Sequence, residues 1–247
     1  MYLKFLRAKF LFLVAILTLC ILGFYGSRSY NLPDDLDVLP AEEIQPAKVL
    51  LVSAFYPLSK SKHSHEAYAL WLSKYLSRVL THIYFFAPPD AEPMIRQMRG
   101  DLPMTLNTTY SSPYDILPLA GLREVYDNMH DLDPEKEIHS SELYAVWAAK
   151  TFFLDEGMQN MEKSGVKYDY AFWNDAGSFR DDQDYGYWPG AYRVPEIFEL
   201  GSRMTGTPRK DLIFMPIWGI HPPRLASWKE EDGPVDISDS LSEGSIA

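Results

Sequence analysis

Val49-Leu-Leu-Val-Ser-Ala-Phe55 is a continuous apolar run of strand length. A strand that alternates polar and apolar residues rests on one wet face, whereas an unbroken run needs cover on both. Pro57 ends the run, and a helical stripe follows over 63–80, with apolar residues at 68, 71, 72, 75, 76, 79 and 80. Ile83 to Ala87 (IYFFA) is a second buried strand, closed by Pro88-Pro89. A short helix fits Glu92 to Met98, with Pro93 in its first turn. Leu119 to Met129 reads as helix. A longer helix is expected from Glu142 to about Lys163, capped by Ser140 or Ser141 and ended by Gly165. Tyr168 to Trp173 (YDYAFW) is a third strand, and Glu196 to Ser202 one or two helical turns. Leu212 to Trp218 (LIFMPIW) is a fourth strand, edge or irregular because of Pro216. Strand and helix in alternation predict an α/β fold, a mainly parallel sheet with helices on both faces.

The flanks differ in kind. Phe10 to Gly26 (FLFLVAILTLCILGFYG) carries no charge, and as a helix it is about 25 Å long, enough for a thin bilayer. Lys4, Arg7 and Lys9 precede it, which leaves 1–9 cytoplasmic and the remainder lumenal or external. A cleaved signal peptide has the same outline. The length of the run, and the lack of a small-x-small site after it, favour a signal-anchor. Residues 27–47 hold Pro33, Pro40 and Pro46 among five acids, an extended acidic stalk. The 247 residues then leave 48–228 for one domain. From Lys229 onward six acids face one base, with no stripe and no strand, so 229–247 is expected to be a disordered tail.

Composition excludes several classes. Beyond the first nine residues stand 34 acids and 20 bases, a net −14, so broad phosphate-backbone contact with nucleic acid is not expected. The single cysteine, Cys20, lies inside the apolar run and excludes an intrachain disulfide. No G-x-S-x-G, P-loop, H-E-x-x-H or G-x-G-x-x-G occurs.

Ligands of doubly wound sheets gather at the carboxyl ends of strands. The strand YDYAFW runs into Asn174-Asp175-Ala176-Gly177-Ser178-Phe179-Arg180. A carboxylate there, before a glycine turn, suits a metal–phosphate group, since Mg2+ or Mn2+ takes few protein carboxylates and completes its shell from phosphate and water. It equally suits a capped turn. Asp181, Asp182 and Asp184 read as a solvated acidic loop. Arg180 either neutralises those acids or reaches a diphosphate. Lys150 is either solvated or the partner of a phosphate or of Asp175. His63, His65 and His221 lack a matching carboxylate and are read as structural. Asn107-Thr-Thr is an acceptor sequon, so Asn107 can carry a glycan if the domain is lumenal.

Ser141-Glu-Leu-Tyr-Ala-Val-Trp-Ala-Ala-Lys150-Thr-Phe-Phe-Leu154, with Tyr170-Ala-Phe-Trp-Asn-Asp-Ala-Gly-Ser-Phe-Arg180, resembles the HtrL/YibB-like proteins and related fungal type II membrane proteins with a glycosyltransferase-like domain. VSAFYP and IYFFAPP fit as well, and the likeness runs from about Lys48 to the end. It implies a nucleotide-sugar glycosyltransferase-like (GT-A type) fold behind one transmembrane helix. It implies a Golgi or ER enzyme that moves a sugar from a nucleotide-sugar donor to a glycan or protein acceptor. Asp175 stands where such enzymes keep a metal-binding D-x-D, here without its second acid. Lys150, Asn174 and Arg180 would meet the donor, and Mn2+ or Mg2+ would bridge Asp175 and the diphosphate. The alternative is a catalytically inactive lumenal module that binds a glycan or a protein. The proteins it resembles continue past a matching Glu243-Gly244-Ser245, so an acceptor-side half is expected to be missing, with aromatics exposed near Phe214 and Trp218.

Overall fold

The unbroken apolar run forms β1 (Val49–Ala54), and every residue of it is buried. The computed structural model describes residues 45–216, 223–232 and 245–246. β1 lies between two parallel neighbours, β2 (His82–Phe86) on one side and β4 (Tyr170–Asn174) on the other. Leu51 stands level with Ile83 and with Phe172. β3 (Met104–Asn107) extends the sheet in parallel outside β2. The result is α/β, with four parallel strands in the order β3-β2-β1-β4 and the short β5 (Ser245–Ile246) antiparallel on the outer edge of β4. That core is compatible with a Rossmann-like fold.

The sheet's two faces sort β1 by parity. Leu50, Val52 and Ala54 join Tyr84, Phe86 and Trp173 on one face. Two helices, α4 (Ser141–Ala148) and α5 (Lys150–Lys163), cover it through Ala145, Phe153 and Met161. Gly157 of α5 allows a close approach, since a Cβ there would stand 3.1 Å from Val52 Cγ2. On the other face Leu51 joins Ile83 and Phe85 under α1 (His65–Arg78) and α2 (Glu92–Arg99), through Leu72, Tyr75, Leu76 and Ile95. α6 (Arg193–Thr205) covers Val49 with Val194 and Phe198. The small helix α3 (Arg123–Asp131) packs against α4.

Several expectations need correction. The helix expected over 142–163 is two helices, divided at Ala149, where φ −79° and ψ −10° flatten the turn. Backbone bonds continue through it, Ala149 N–H to Ala145 O and Phe153 N–H to Ala149 O. Ser140 takes the N-cap position, but its hydroxyl makes no cap bond. The helix expected from Leu119 begins only at Arg123, after short 3-10 turns at Pro113–Asp115 and Leu117–Leu119. Leu212 to Pro216 forms no strand. Phe214 turns inward onto Phe198, with ring centroids 4.7 Å apart, so it is half-buried rather than exposed. Ile213 and Met215 point out at 73% and 55% exposure. The in–out alternation was real, but the edge of β4 is taken by β5 instead. Trp218 lies outside the described residues.

The tail expected to hold no strand thus contributes Ser245–Ile246, because an open sheet edge offers unpaired backbone groups to any extended segment. The tail 1–9, the span 10–26 and nearly all of the stalk 27–47 lie outside the described residues. Among the described residues, no helix is long and apolar enough to cross a membrane.

Candidate functional site

β1, β2 and β3 step outward in one direction, and the chain then returns to lay β4 on the opposite side of β1. The strand order therefore reverses between β1 and β4, and the crevice beyond their carboxyl ends is where such sheets receive ligands. Ser53 near the end of β1 donates through Oγ to Asn174 O at 2.6 Å and stitches the two ends together. Beyond β4 the chain turns. Ser178 N–H donates to Asp175 O at 3.1 Å. Asn174, only 2% exposed, spends its amide within that turn, with Nδ2 donating to Asp175 O and to Ser178 Oγ, each at 3.1 Å. Phe179 then stacks on Tyr75 of α1, centroids 5.1 Å apart, and draws the turn down against the helix.

This turn presents Asp175. Its Oδ1 accepts from the indole Nε1 of Trp173 at 2.6 Å. Lys150 Nζ stands 3.0 Å from Oδ1 and 3.1 Å from Oδ2. Lys150 is the first residue of α5, so the division at Ala149 sets it at a helix start. The positive end of the helix dipole disfavours a cation there, and the Asp175 carboxylate offsets that cost. The side chains are 16% and 36% exposed, a pair shielded from water on one side and open on the other.

Of the residues expected at the site, Lys150, Asn174 and Asp175 are brought together. Arg180 faces elsewhere: its guanidinium lies over the Trp71 ring, 4.7 Å from the centroid. Trp71 packs edge-on against His63 and Tyr68, at 4.9 and 5.3 Å, so the first turns of α1 form an aromatic cluster beside Gly177. The acidic loop behaves as a solvated face. Asp182 reaches Lys74 and Arg78 at 3.3 and 3.2 Å, and the Lys74 bond holds its carboxyl below the usual range. Asn107 ends β3 half-buried, its Nδ2 donating to the Tyr84 hydroxyl at 3.2 Å and its Oδ1 accepting from Thr109 N–H at 2.9 Å.

The expected Mn2+ or Mg2+ meets a poor donor set. Among the described residues one carboxylate stands there, its two oxygens already engaged by an indole N–H and an ammonium. Among the described residues, no group of three or more metal-ligating side chains gathers.

One cluster went unseen in the sequence. Asp133, 6% exposed, accepts from His139 Nδ1 at 2.8 Å, from Glu135 N–H at 2.8 Å and from the Tyr144 hydroxyl. Burial pushes this carboxyl up, but the bonds from Tyr144, Glu135 and His139 outweigh it and hold it below the ordinary range. Burial and the same carboxylate push the Tyr144 hydroxyl up. The cluster braces the segment on which the loop after β1 rests, since Lys60 Nζ donates to Lys136 O at 3.0 Å and Ser59 to Glu142 at 3.1 Å. Asp133-Pro134-Glu135 was the only local hint, an Asx-type turn.

Fold and site together define an α/β protein with a charged pair at the switch point of a parallel sheet. The chain matches no family model, no curated protein and no solved structure.

Proposed function

We propose that this chain is a glycosyltransferase-like protein of GT-A type, transferring a sugar from a nucleotide-sugar donor to a glycan or protein acceptor. Residues 10–26 would anchor it as a single-pass type II protein with its domain in the Golgi or ER lumen, where the Asn107 sequon would meet the glycosylation machinery before folding ties its amide to Tyr84. The observation that carries this reading is the Lys150–Asp175 pair beyond the carboxyl ends of β1 and β4. Transfer leaves growing negative charge on the departing diphosphate, and a fixed positive group lowers the barrier most where that charge develops. Lys150 is that group, and Asp175 with Trp173 fixes its place.

A second reading, a catalytically inactive module binding a glycan or a protein, is favoured by one fact: both Asp175 oxygens are engaged by Trp173 and Lys150, which leaves this carboxylate a poor ligand for the expected metal. The test is thermal unfolding of the full chain with UDP- and GDP-sugars. A donor enzyme is stabilised by the nucleotide and loses that on Lys150→Met. A chain indifferent to every nucleotide sugar is the binding module.

A further inference from the structure

We infer that the cation of this site is the Lys150 ammonium itself, so nucleotide diphosphate is bound without a divalent metal and Asp175 acts as a positioning residue for the lysine. This rests on the donor reading above and goes beyond it in excluding a divalent metal from the site.

A carboxylate offers roughly four lone-pair positions. Asp175 gives one to the indole N–H of Trp173, at 2.6 Å, and both of its oxygens face Lys150 Nζ, at 3.0 and 3.1 Å. A divalent ion bound to either oxygen would sit beside an ammonium only a bond length further on. Two cations on one carboxylate repel, and among the described residues no second acid stands beside Asp175 to offset them. Asn174 cannot supply a neutral ligand, because it is buried and its amide is spent inside the turn. Lys150 is suited to the role. An ammonium has three donors, and among the described residues its only recorded partner is Asp175, so the open side of the pair keeps N–H capacity for a phosphate oxygen.

The test uses the full-length chain in detergent micelles, titrated calorimetrically with UDP, GDP and inorganic pyrophosphate, in EDTA and again in Mn2+. Mn2+ alone is followed by water-proton relaxation. We expect affinities in EDTA within about twofold of those in Mn2+, and no Mn2+ site in the absence of nucleotide. Lys150→Met should weaken every probe at least about tenfold in both buffers, and Lys150→Arg should recover much of it. Asp175→Asn, which keeps an acceptor for Trp173, should weaken binding less, through a lysine no longer held. Urea midpoints of the variants separate lost charge from lost fold. Binding that falls about tenfold in EDTA, or a Mn2+ site in the free chain abolished by Asp175→Asn, overturns the inference and leaves the donor reading standing. Failure of all three probes in both buffers overturns the donor reading and this inference with it.

Discussion

Replacing Arg99 with methionine should cost about 3–5 kcal/mol of folding stability. Arg99 is 1% exposed, yet no carboxylate faces it in the described residues. Its Nη1 donates to Leu76 O and Val79 O at 2.8 and 2.7 Å, and its Nη2 to Thr81 O and Pro103 O at 2.9 and 2.6 Å. Leu76 O is a helix-end orphan, because Leu80 N–H turns away to Gly186 O. The guanidinium thus caps α1, pins the turn into β2 and ties both to the segment before β3. Burial lowers it to about 10, so it stays charged at neutral pH. Methionine would keep most of the stem and remove every donor. Pro103 O would retain Ile83 N–H. Leu76, Val79 and Thr81 would lose the donor described for them, at roughly 1–3 kcal/mol for each buried carbonyl left unmade, less what water recovers. Against a total of about 5–15 kcal/mol this removes a large share, and it corresponds to roughly 10 °C in Tm. Urea unfolding followed by tryptophan emission measures it. Lysine, with one nitrogen for four carbonyls, should fall between. A loss under about 1 kcal/mol for Arg99→Met would show that the carbonyls find water and that the cap is not structural.

Other expectations concern separate parts of the molecule. Asp133 has a folded-state pKa below its ordinary 3.8, so its contribution is present above that value and is lost as pH falls through the lower folded one. Acid titration of the urea midpoint should therefore show a steeper low-pH fall in the parent chain than in Asp133→Asn, and identical slopes refute the assignment. In Gly201→Ala the new Cβ would meet Phe214 Cζ at 2.6 Å, so the ring must leave Phe198 at a cost of about 1–3 kcal/mol. A stabilised variant would contradict this packing. Asn107→Gln should abolish an endoglycosidase-sensitive mobility shift in a secretory host, and protease removal of the domain from sealed microsomes would exclude the lumenal orientation.

The sequence was most legible where burial leaves no choice. VLLVSAF and IYFFA announce strands covered on both faces, and their parallel pairing follows from the helical stripe between them. Met104–Asn107 was missed because its alternation, Met104 and Leu106 against Thr105 and Asn107, lasts only four residues and all four are half-buried. The division at Ala149 has neither glycine nor proline to mark it. Lys150 meeting Asp175 could be anticipated from the strand end and the helix position. Arg180 on Trp71 could not, since a cation near acids reads as their partner and the ring lies over a hundred residues earlier. Arg99 had the same difficulty: an arginine in the last turn of a short helix resembles any solvated one, and its four carbonyls come from the end of α1, the turn into β2 and the segment before β3, which the sequence does not align.

Trp173 belongs to two worlds at once. Its ring lies nearly parallel to Phe153, 13° off and 6.0 Å between centroids, within the packed face of the sheet. Its nitrogen, on the other edge, holds Asp175. Phe153 rides on the same turn of α5 as Lys150. The pair at the mouth and the stacked rings beneath it are therefore one mechanical unit, and whatever touches the carboxylate changes the electronic surroundings of a sheltered indole. The protein carries its own optical gauge: a fluorinated tryptophan at 173 would register an arriving anion without any label placed in the crevice.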